Sequence, residues 1–275
     1  MNNVDISHII FVQKDSRRAT LRNASDRNAL EKIRRTIGSS FNLHASQFQD
    51  VDCLLFTEHE LDYDIIMKLA SHRKIIKHAQ NVKLSGFSRW KDYIHYREAY
   101  LTYFGKHIEC SMLLDRDYYP EDYLQSISNT LLASAVKITF TPGKEIENLF
   151  LEEYFLAELL PKRPNEQDLH DFLDQIYRRE HDTCKLKYAE FAKDYSETNK
   201  RKTVSTVYSE TSPSFDLIWN DKAKRHNLIG GKSTLAEVRE FFTVHYRIKL
   251  TTSLLARELS SRRRPFVEEF LNKIL

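Results

Sequence analysis

The sequence predicts an α/β protein in which a parallel sheet flanked by helices is followed by a mostly helical C-terminal region. Between residues 51 and 150, short apolar runs alternate with segments of helical spacing, a pattern typical of right-handed βαβ crossovers. The runs are nearly continuous, as expected of strands that are buried on both faces. From Glu145 onward the spacing is mostly helical, with prolines and Gly230-Gly231 as breaks.

The first 50 residues predict a hairpin and a helix without a core of their own. Residues 6–12 are strand-like, and residues 18–21 can form their hairpin partner. Asp26 is a candidate cap for a helix that extends to residue 37, and Gly38 is its stop signal. We therefore expect a segment that docks on something else or serves as a linker.

The α/β core is predicted over residues 51–150 and a helical basic region over residues 151–275. Strands are expected at 51–57, 75–76, 108–114 and 136–140, with helices at 63–70, 90–104 and 123–132. Further helices are expected at 146–160, 166–179 and 183–200.

Composition narrows the class of protein. A hydrophobic content of 41% and an aromatic content of 12% indicate a folded globular chain. No apolar run approaches the roughly 20 residues that span a bilayer, and the N-terminus does not resemble a signal peptide, so we expect a cytoplasmic protein without membrane contact. Cys53, Cys110 and Cys184 are too far apart for a zinc knuckle and suggest no disulfide framework.

Charge is unevenly distributed along the chain. From residue 178 onward there are 20 Lys and Arg against 13 Asp and Glu, whereas residues 1–177 hold 22 against 26. A basic half beside an acidic half is consistent with a phosphate-binding surface next to a metal site, although solvated helix faces would give the same counts.

Acidic residues follow two of the predicted strands. Glu58 follows the strand at 51–57, and Asp115 and Asp117 follow the strand at 108–114. Functional groups collect at the carboxyl ends of parallel strands, and residues two apart on an extended chain point to the same side. Asp62, one helical turn beyond Glu58, can face the same point. Because clustered carboxylates favour a hard cation, the sequence predicts a Mg²⁺ site in which Mn²⁺ can substitute, although a single Asp in such a loop is more often a helix cap.

These acidic motifs resemble the TOPRIM domain of topoisomerases, primases and OLD-type (overcoming lysogenization defect) nucleases. In that family an apolar strand ends in Glu-Gly and a later strand ends in Asp-x-Asp, which correspond to Glu58 and to Asp115 with Asp117. The resemblance implies acid/base chemistry for Glu58 and magnesium binding for the two aspartates. His59 stands where the family usually has glycine, so we expect the turn after Glu58 to be built differently.

Two further stretches resemble OLD-like defence nucleases. Glu145, Glu147 and the following Asn148 are similar to a Glu-x-Glu-Asn stretch whose glutamates contribute to the metal region. Gly231-Lys232 resembles a Gly-Lys pair whose lysine stabilises phosphate charge. The resemblance thus implies a magnesium-dependent endonuclease with Glu58 and Lys232 as catalytic residues. Basic runs that could hold the polyanion are Lys200, Arg201 and Lys202; Lys222, Lys224 and Arg225; and Arg262, Arg263 and Arg264.

OLD-like nucleases also combine cutting with an ATPase. No Walker sequence is present, because His226 stands where a P-loop requires glycine. The resemblance therefore implies a separate ATPase subunit or domain, a setting in bacterial antiviral defence and a possible homo-oligomer. Two alternatives stay open: a non-catalytic TOPRIM-like subunit that binds nucleic acid or regulates an ATPase, and a haloacid-dehalogenase-type phosphatase. The latter family places its motif on the first strand and needs Thr or Val where Tyr119 stands.

Overall fold

The structure is a computed structural model that describes part of the chain. The described residues are 10–15, 18–23, 51–75, 78–84, 86–87, 90–91, 97, 101, 107–161, 166–262 and 265–275. Most of the helix predicted at 90–104 lies outside them, as does the helix predicted at 26–37. Within the described residues, no helix has the length and apolar character to cross a membrane.

Two strands near the N-terminus confirm the predicted hairpin. Strands β1 (Ile10–Asp15) and β2 (Arg18–Asn23) pair antiparallel, with Ile10 opposite Asn23 and Asp15 opposite Arg18. The residues predicted to start the first strand, 6–9, are not among those described.

Four parallel strands form the central sheet and confirm the α/β class. They are β3 (Cys53–Thr57), β4 (Ala79–Lys83), β5 (Glu109–Leu114) and β6 (Lys137–Phe140), and their order across the sheet is β4-β3-β5-β6. Helix α1 (Glu60–His72) leads from β3 to β4, and helix α2 (Glu121–Ala133) leads from β5 to β6. The chain leaves β3 towards one edge of the sheet and β5 towards the other, so a topological switch point lies between these two strands.

Both faces of the two central strands are buried, which explains their apolar sequence. On one face, Leu55 and Leu113 join a core with α1 and the C-terminal helices. On the other face, Phe56 and Met112 pack in a core that includes Ile127 of α2. Side chains alternate between the two sides of a strand, so every position of the run meets apolar neighbours.

Strand β4 lies four residues later than the sequence predicted. Lys74 has a left-handed φ of 58°, and the Ile75 N–H donates to the Ala70 carbonyl at 3.0 Å, which closes the end of α1. Ile75 therefore belongs to the turn, and Ile76 is outside the described residues. As an edge strand, Ala79–Lys83 is only partly buried and lacks an apolar run that sequence reasoning could detect.

The C-terminal region is helical, with boundaries that differ from the prediction. A 3₁₀ helix (Ile146–Phe150) precedes helix α3 (Glu153–Ala157), where one helix was expected. Helix α4 (Glu166–Tyr195) runs without a break, where two were expected, because it contains neither Gly nor Pro. The remaining described elements are α5 (Val204–Trp219), a 3₁₀ helix (Arg225–Leu228), α6 (Gly231–Tyr246), α7 (Thr252–Ser261) and α8 (Pro265–Ile274).

The three cysteines agree with the sequence analysis. Cys53, Cys110 and Cys184 are free thiols, and all three are buried. Burial raises the pKa of the Cys110 thiol to about 12, so this thiol stays protonated at neutral pH.

Candidate functional site

Glu58 and Asp115 meet at the switch point of the sheet. Strands β3 and β5 are neighbours, with Phe56 in register with Met112, so the first residues after each strand lie side by side. The Asp115 N–H donates a hydrogen bond to Glu58 Oε1 at 3.2 Å. The fold thus joins two acids that are 57 positions apart in the chain.

The backbone at position 59 does not require the glycine that the TOPRIM family usually has there. Its φ of −126° and ψ of 150° are those of extended backbone, which any residue adopts. The turn after Glu58 is therefore unstrained at this position, and the substitution by itself does not distort the site.

Asp117 reaches the site through a turn, which differs from the extended segment that the sequence suggested. Its φ is 43°, a left-handed value that aspartate tolerates better than most residues. The Asp117 N–H donates to the Lys144 carbonyl at 3.0 Å, and the Arg116 N–H donates to Thr141 Oγ1 at 2.8 Å. These bonds fix the loop that carries Asp117, so Asp115 and Asp117 are positioned by different contacts.

Asp62 is both a helix cap and a buried acid. In the first turn of α1, its Oδ2 accepts a hydrogen bond from the His59 N–H at 2.9 Å, the capping role that is common for Asp. Its Oδ1 is buried and, among the described residues, has no hydrogen-bond partner. One carboxylate oxygen therefore stabilises the fold while the other remains for a ligand.

Glu145 and Glu147 approach from the 3₁₀ helix beyond the sheet. Glu145 Oε2 accepts a hydrogen bond from the backbone N–H of Lys232 at 2.8 Å, in the first turn of α6. Glu147 is only 2% exposed, and no other described residue donates a hydrogen bond to its carboxylate oxygens. A buried carboxylate without donors is costly, and such a group indicates a missing ligand or a bound proton.

Electrostatic interactions join all six acids into one cluster with Lys232. Burial and then the neighbouring Asp62 and Glu58 raise the pKa of Asp115 to about 8. Burial alone would lower the pKa of Lys232. The nearby acids, Glu147 and Asp115 first among them, have the larger effect, and the pKa of Lys232 is raised. Burial also raises the pKa of Glu58, of Glu147 and of Asp117, and the last is opposed most by Lys144.

When ionised, the six carboxylates carry more negative charge than Lys232 and Lys144 balance. Within the described part of the chain, no three His, Cys, Asp or Glu side chains are grouped so as to enclose a metal ion directly. Mg²⁺ usually retains several waters and binds through one or two carboxylates together with substrate phosphate. The all-oxygen donor set of the cluster therefore fits a hydrated Mg²⁺.

Asn148 joins the two parts of the site and was not assigned a role from the sequence. This side chain is fully buried. Its Oδ1 accepts from the Glu145 N–H at 2.7 Å, and its Nδ2 donates to the His226 and Ile229 carbonyls at 2.6 and 3.1 Å. It therefore anchors the Glu145 segment to the loop before Lys232. The sequence signal that could have identified it was its place in the Glu-x-Glu-Asn stretch.

Gly231 allows this close approach. A Cβ at this position would lie 3.0 Å from Asn148 Oδ1 and 3.2 Å from Glu145 Cβ. The absence of a side chain thus brings the start of α6 against the two glutamates, and Lys232 with it. The preceding Arg225–Leu228 segment is a 3₁₀ helix rather than a strand, which agrees with the absence of a P-loop.

Arg225, one of the suggested nucleic-acid contacts, is engaged inside the protein. Its guanidinium pairs with Glu153 at 2.9 Å and with Asp174 at 2.8 Å, and it lies 4.0 Å from the ring centre of Tyr177. Because a charge that is paired in this way is expensive to remove, Arg225 has a structural role here.

The other described residues among the proposed nucleic-acid contacts lie nearer the surface. Several form exposed ion pairs, which are weak and can exchange for phosphate. The pairs are Lys200 with Glu197, Lys202 with Glu210, and Lys224 with Asp221. Arg262 is half-buried, pairs with Glu158 at 3.1 Å and donates to the Glu158 carbonyl at 3.2 Å. Arg201 and Lys222 are exposed, whereas Arg263 and Arg264 fall outside the described residues.

His226 should make folding sensitive to acid. Burial and then the adjacent Arg225 lower its pKa from 6.5 to about 4, and its Nδ1 has no hydrogen-bond partner in the described region. A lowered pKa contributes stability above pH 6.5 that is lost as the pH falls towards 4. We expect the wild type to lose about 3 kcal/mol more than His226→Leu over this range, measured by urea unfolding. If the free energy of unfolding fell equally with pH in the wild type and in His226→Leu, this expectation would be wrong. The control is His107→Leu, because His107 is exposed.

Neither a protein-family model, nor a curated protein, nor a solved structure matches the chain. Its function is therefore inferred from the side chains of the site.

Proposed function

We propose that this protein is a magnesium-dependent endonuclease of the TOPRIM type that hydrolyses phosphodiester bonds in nucleic acid. The observation that carries the proposal is the contact between Glu58 and Asp115 at the switch point of a parallel sheet, beside Lys232. Ligands of open α/β sheets bind in this crevice. A metal cation complements the six clustered carboxyl groups, and a phosphate complements Lys232 beside them.

The carboxylates divide between two roles. Asp115 and Asp117 would hold the ion, with Glu58, Asp62 and Glu147 around it and Glu145 in support. A bound Mg²⁺ would neutralise negative charge that develops on the scissile phosphate. This assignment gives the unpartnered oxygens of Asp62 and Glu147 a function.

Glu58 is suited to act as the general base. Burial raises its pKa, and a carboxylate whose pKa is shifted towards neutrality accepts a proton from water more readily. The water oxygen forms a bond to phosphorus, the bond from phosphorus to the leaving sugar oxygen breaks, and Glu58 accepts the water proton. The leaving oxygen takes its proton from solvent.

In this proposal Lys232 binds a nonbridging phosphate oxygen. Its interactions with Glu147, Asp115 and Asp62 favour the charged ammonium form. The hydrogen bond from its backbone N–H to Glu145 holds the start of α6 in place. A cation beside the reacting phosphate stabilises charge that develops in the transition state.

The resemblance to OLD-type nucleases also supports an ATPase partner and a role in antiviral defence. We propose that a separate ATPase subunit controls the cutting activity. Copurification of the full chain from its native host should recover an ATPase. Isolation of this chain alone under gentle conditions would contradict the partner proposal and would leave the nuclease proposal intact.

Cleavage assays test the nuclease proposal. The purified chain should cut plasmid DNA or transfer RNA with Mg²⁺ or Mn²⁺ and should fail to cut in EDTA. Mg²⁺ should also raise the melting temperature, because a ligand of the folded state stabilises it. Asp115→Asn should lose both effects, whereas the exposed Asp194→Asn should keep them.

The outcomes separate the nuclease from a non-catalytic subunit. A magnesium-induced rise in melting temperature without cleavage of either substrate would favour a binding or regulatory role. Cleavage at an equal rate in EDTA would contradict the proposal of a magnesium-dependent nuclease.

A further inference from the structure

A cavity opens next to the acidic cluster and is not used by the mechanism above. Its volume is about 410 Å³, and Asp117 forms part of its wall. The loop after β5 lines one side, helices α4 and α5 line another, and Asn227 and Leu228 complete it. Sites for small organic ligands have volumes of roughly 300–1,000 Å³, so the cavity is large enough for a nucleoside.

The cavity has aromatic walls that are held in place. Tyr119 stacks on Phe87, with ring centres 4.2 Å apart and planes inclined by 19°. Tyr188 contacts Tyr118 edge-on at 6.4 Å. The half-buried Tyr119 and Tyr188 thus give the cavity an ordered apolar wall, against which a nucleobase can pack at small entropic cost.

Two side-chain amides in the wall, those of Asn199 and Asn227, can form hydrogen bonds with the edge of a base. The Asn227 side chain makes no hydrogen bond within the described part of the chain, although its backbone carbonyl accepts from the Lys144 N–H at 2.8 Å. Asn199 donates one amide hydrogen to the Ala192 carbonyl at 3.2 Å, so its oxygen can accept from a ligand. An amide supplies both a donor and an acceptor, as nucleobase edges do.

We propose that this cavity binds one unpaired nucleobase adjacent to the phosphodiester bond that is cut. The identity of the ligand rests on the nuclease function proposed above. Asp117 belongs both to the cavity wall and to the acidic cluster, so the phosphate attached to a base in the cavity would lie beside this part of the cluster. A base within a duplex is stacked and paired and cannot enter such a cavity. The protein therefore selects single-stranded or looped nucleic acid, as RNA or DNA.

Nucleoside binding tests the cavity without any cleavage. Adenosine, guanosine, cytidine and uridine are titrated into the full chain in EDTA, with saturation-transfer NMR as the readout. Nucleosides lack phosphate, so the acidic cluster does not repel them. At least one should bind with a Kd of about 1 mM or lower. Asn227→Ala should weaken it about tenfold, the effect expected for a lost hydrogen bond, and the exposed Asn220→Ala should not.

Cleavage provides the second readout. With Mg²⁺, the wild type should cut a single strand at least tenfold faster than the same sequence in a duplex, measured separately for RNA and for DNA. Asn227→Ala should reduce this preference while its circular dichroism and melting temperature stay those of the wild type. Ala192→Leu, which narrows the cavity without removing a polar group, should have the same effect.

The two proposals fail in different ways. Equal cleavage of single strand and duplex, with Asn227→Ala unchanged, overturns the cavity proposal and leaves the nuclease intact. The absence of nucleoside binding by a folded wild type also overturns the cavity proposal. Nucleoside binding that Asn227→Ala weakens, without cleavage of any substrate, supports the cavity and overturns the nuclease.

Discussion

Replacing Glu58 by glutamine is expected to lower the cleavage rate by about 10²–10⁴-fold, the contribution typical of a general base. Glutamine retains the carbonyl oxygen that accepts the Asp115 N–H, so the contact between β3 and β5 survives. It cannot take a proton from water. The loss should therefore appear in single-turnover cleavage at saturating Mg²⁺, with the melting temperature close to that of the wild type.

A matched control comes from the following helix. Glu60 is exposed in the first turn of α1, and Glu60→Gln removes the same charge two residues away. Its cleavage rate should stay within about twofold of the wild type, because exposed charges contribute little to the site. If Glu58→Gln cut nucleic acid as fast as this control, Glu58 would not be the base.

Asn148→Asp is expected to destabilise the fold by about 3–5 kcal/mol. Aspartate can still accept from the Glu145 N–H, but it cannot donate to the carbonyls of His226 and Ile229. A carboxylate would then lie against two carbonyl oxygens in a buried site, which combines lost hydrogen bonds with an unpaired buried charge. Urea unfolding should report the loss, and cleavage should fall in the folded fraction because Lys232 is no longer held.

An exposed asparagine gives the reference for this substitution. Asn129 lies on the surface of α2, where it accepts a hydrogen bond from Gln125 at 3.0 Å. Asn129→Asp should change the free energy of unfolding by less than about 0.5 kcal/mol. A loss below about 1 kcal/mol for Asn148→Asp would show that this side chain does not anchor the Glu145 segment.

The excess of buried carboxylates has a consequence for the protein without a cation. Burial and the acidic neighbours raise the pKa of Asp115 to about 8. The close approach of these acids therefore opposes folding when they are ionised. The rest of the fold must offset this cost. Sites of this kind are often functional, because a ligand relieves the repulsion.

The two strands that carry the site could be predicted because each is a run of consecutive, mostly apolar residues. Residues 51–57 and 108–114 are mostly apolar because both faces of β3 and β5 are covered, and this leaves a clear signal in the sequence. The acids at their ends were recognisable by position for the same reason. Edge strand β4 lacks such a signal because it is only partly buried.

Other features depend on contacts between distant segments. Asp117 was expected on an extended chain, but the Lys144 carbonyl holds it in a left-handed turn. Arg225 was suggested as a nucleic-acid contact, but Glu153 and Asp174 bind it inside the protein. Neither arrangement could be read from neighbouring residues, because each partner comes from a different part of the chain.

The sequence by itself determined the α/β class, the two central strands and the acids that end them, because hydrophobic periodicity and strand polarity are local properties. Tertiary structure alone decided that Glu58 and Asp115 are neighbours, that Asn148 anchors Glu145 beside Lys232, and that a cavity adjoins Asp117. Strand order and packing set these distances, and both depend on how remote segments fill space against each other.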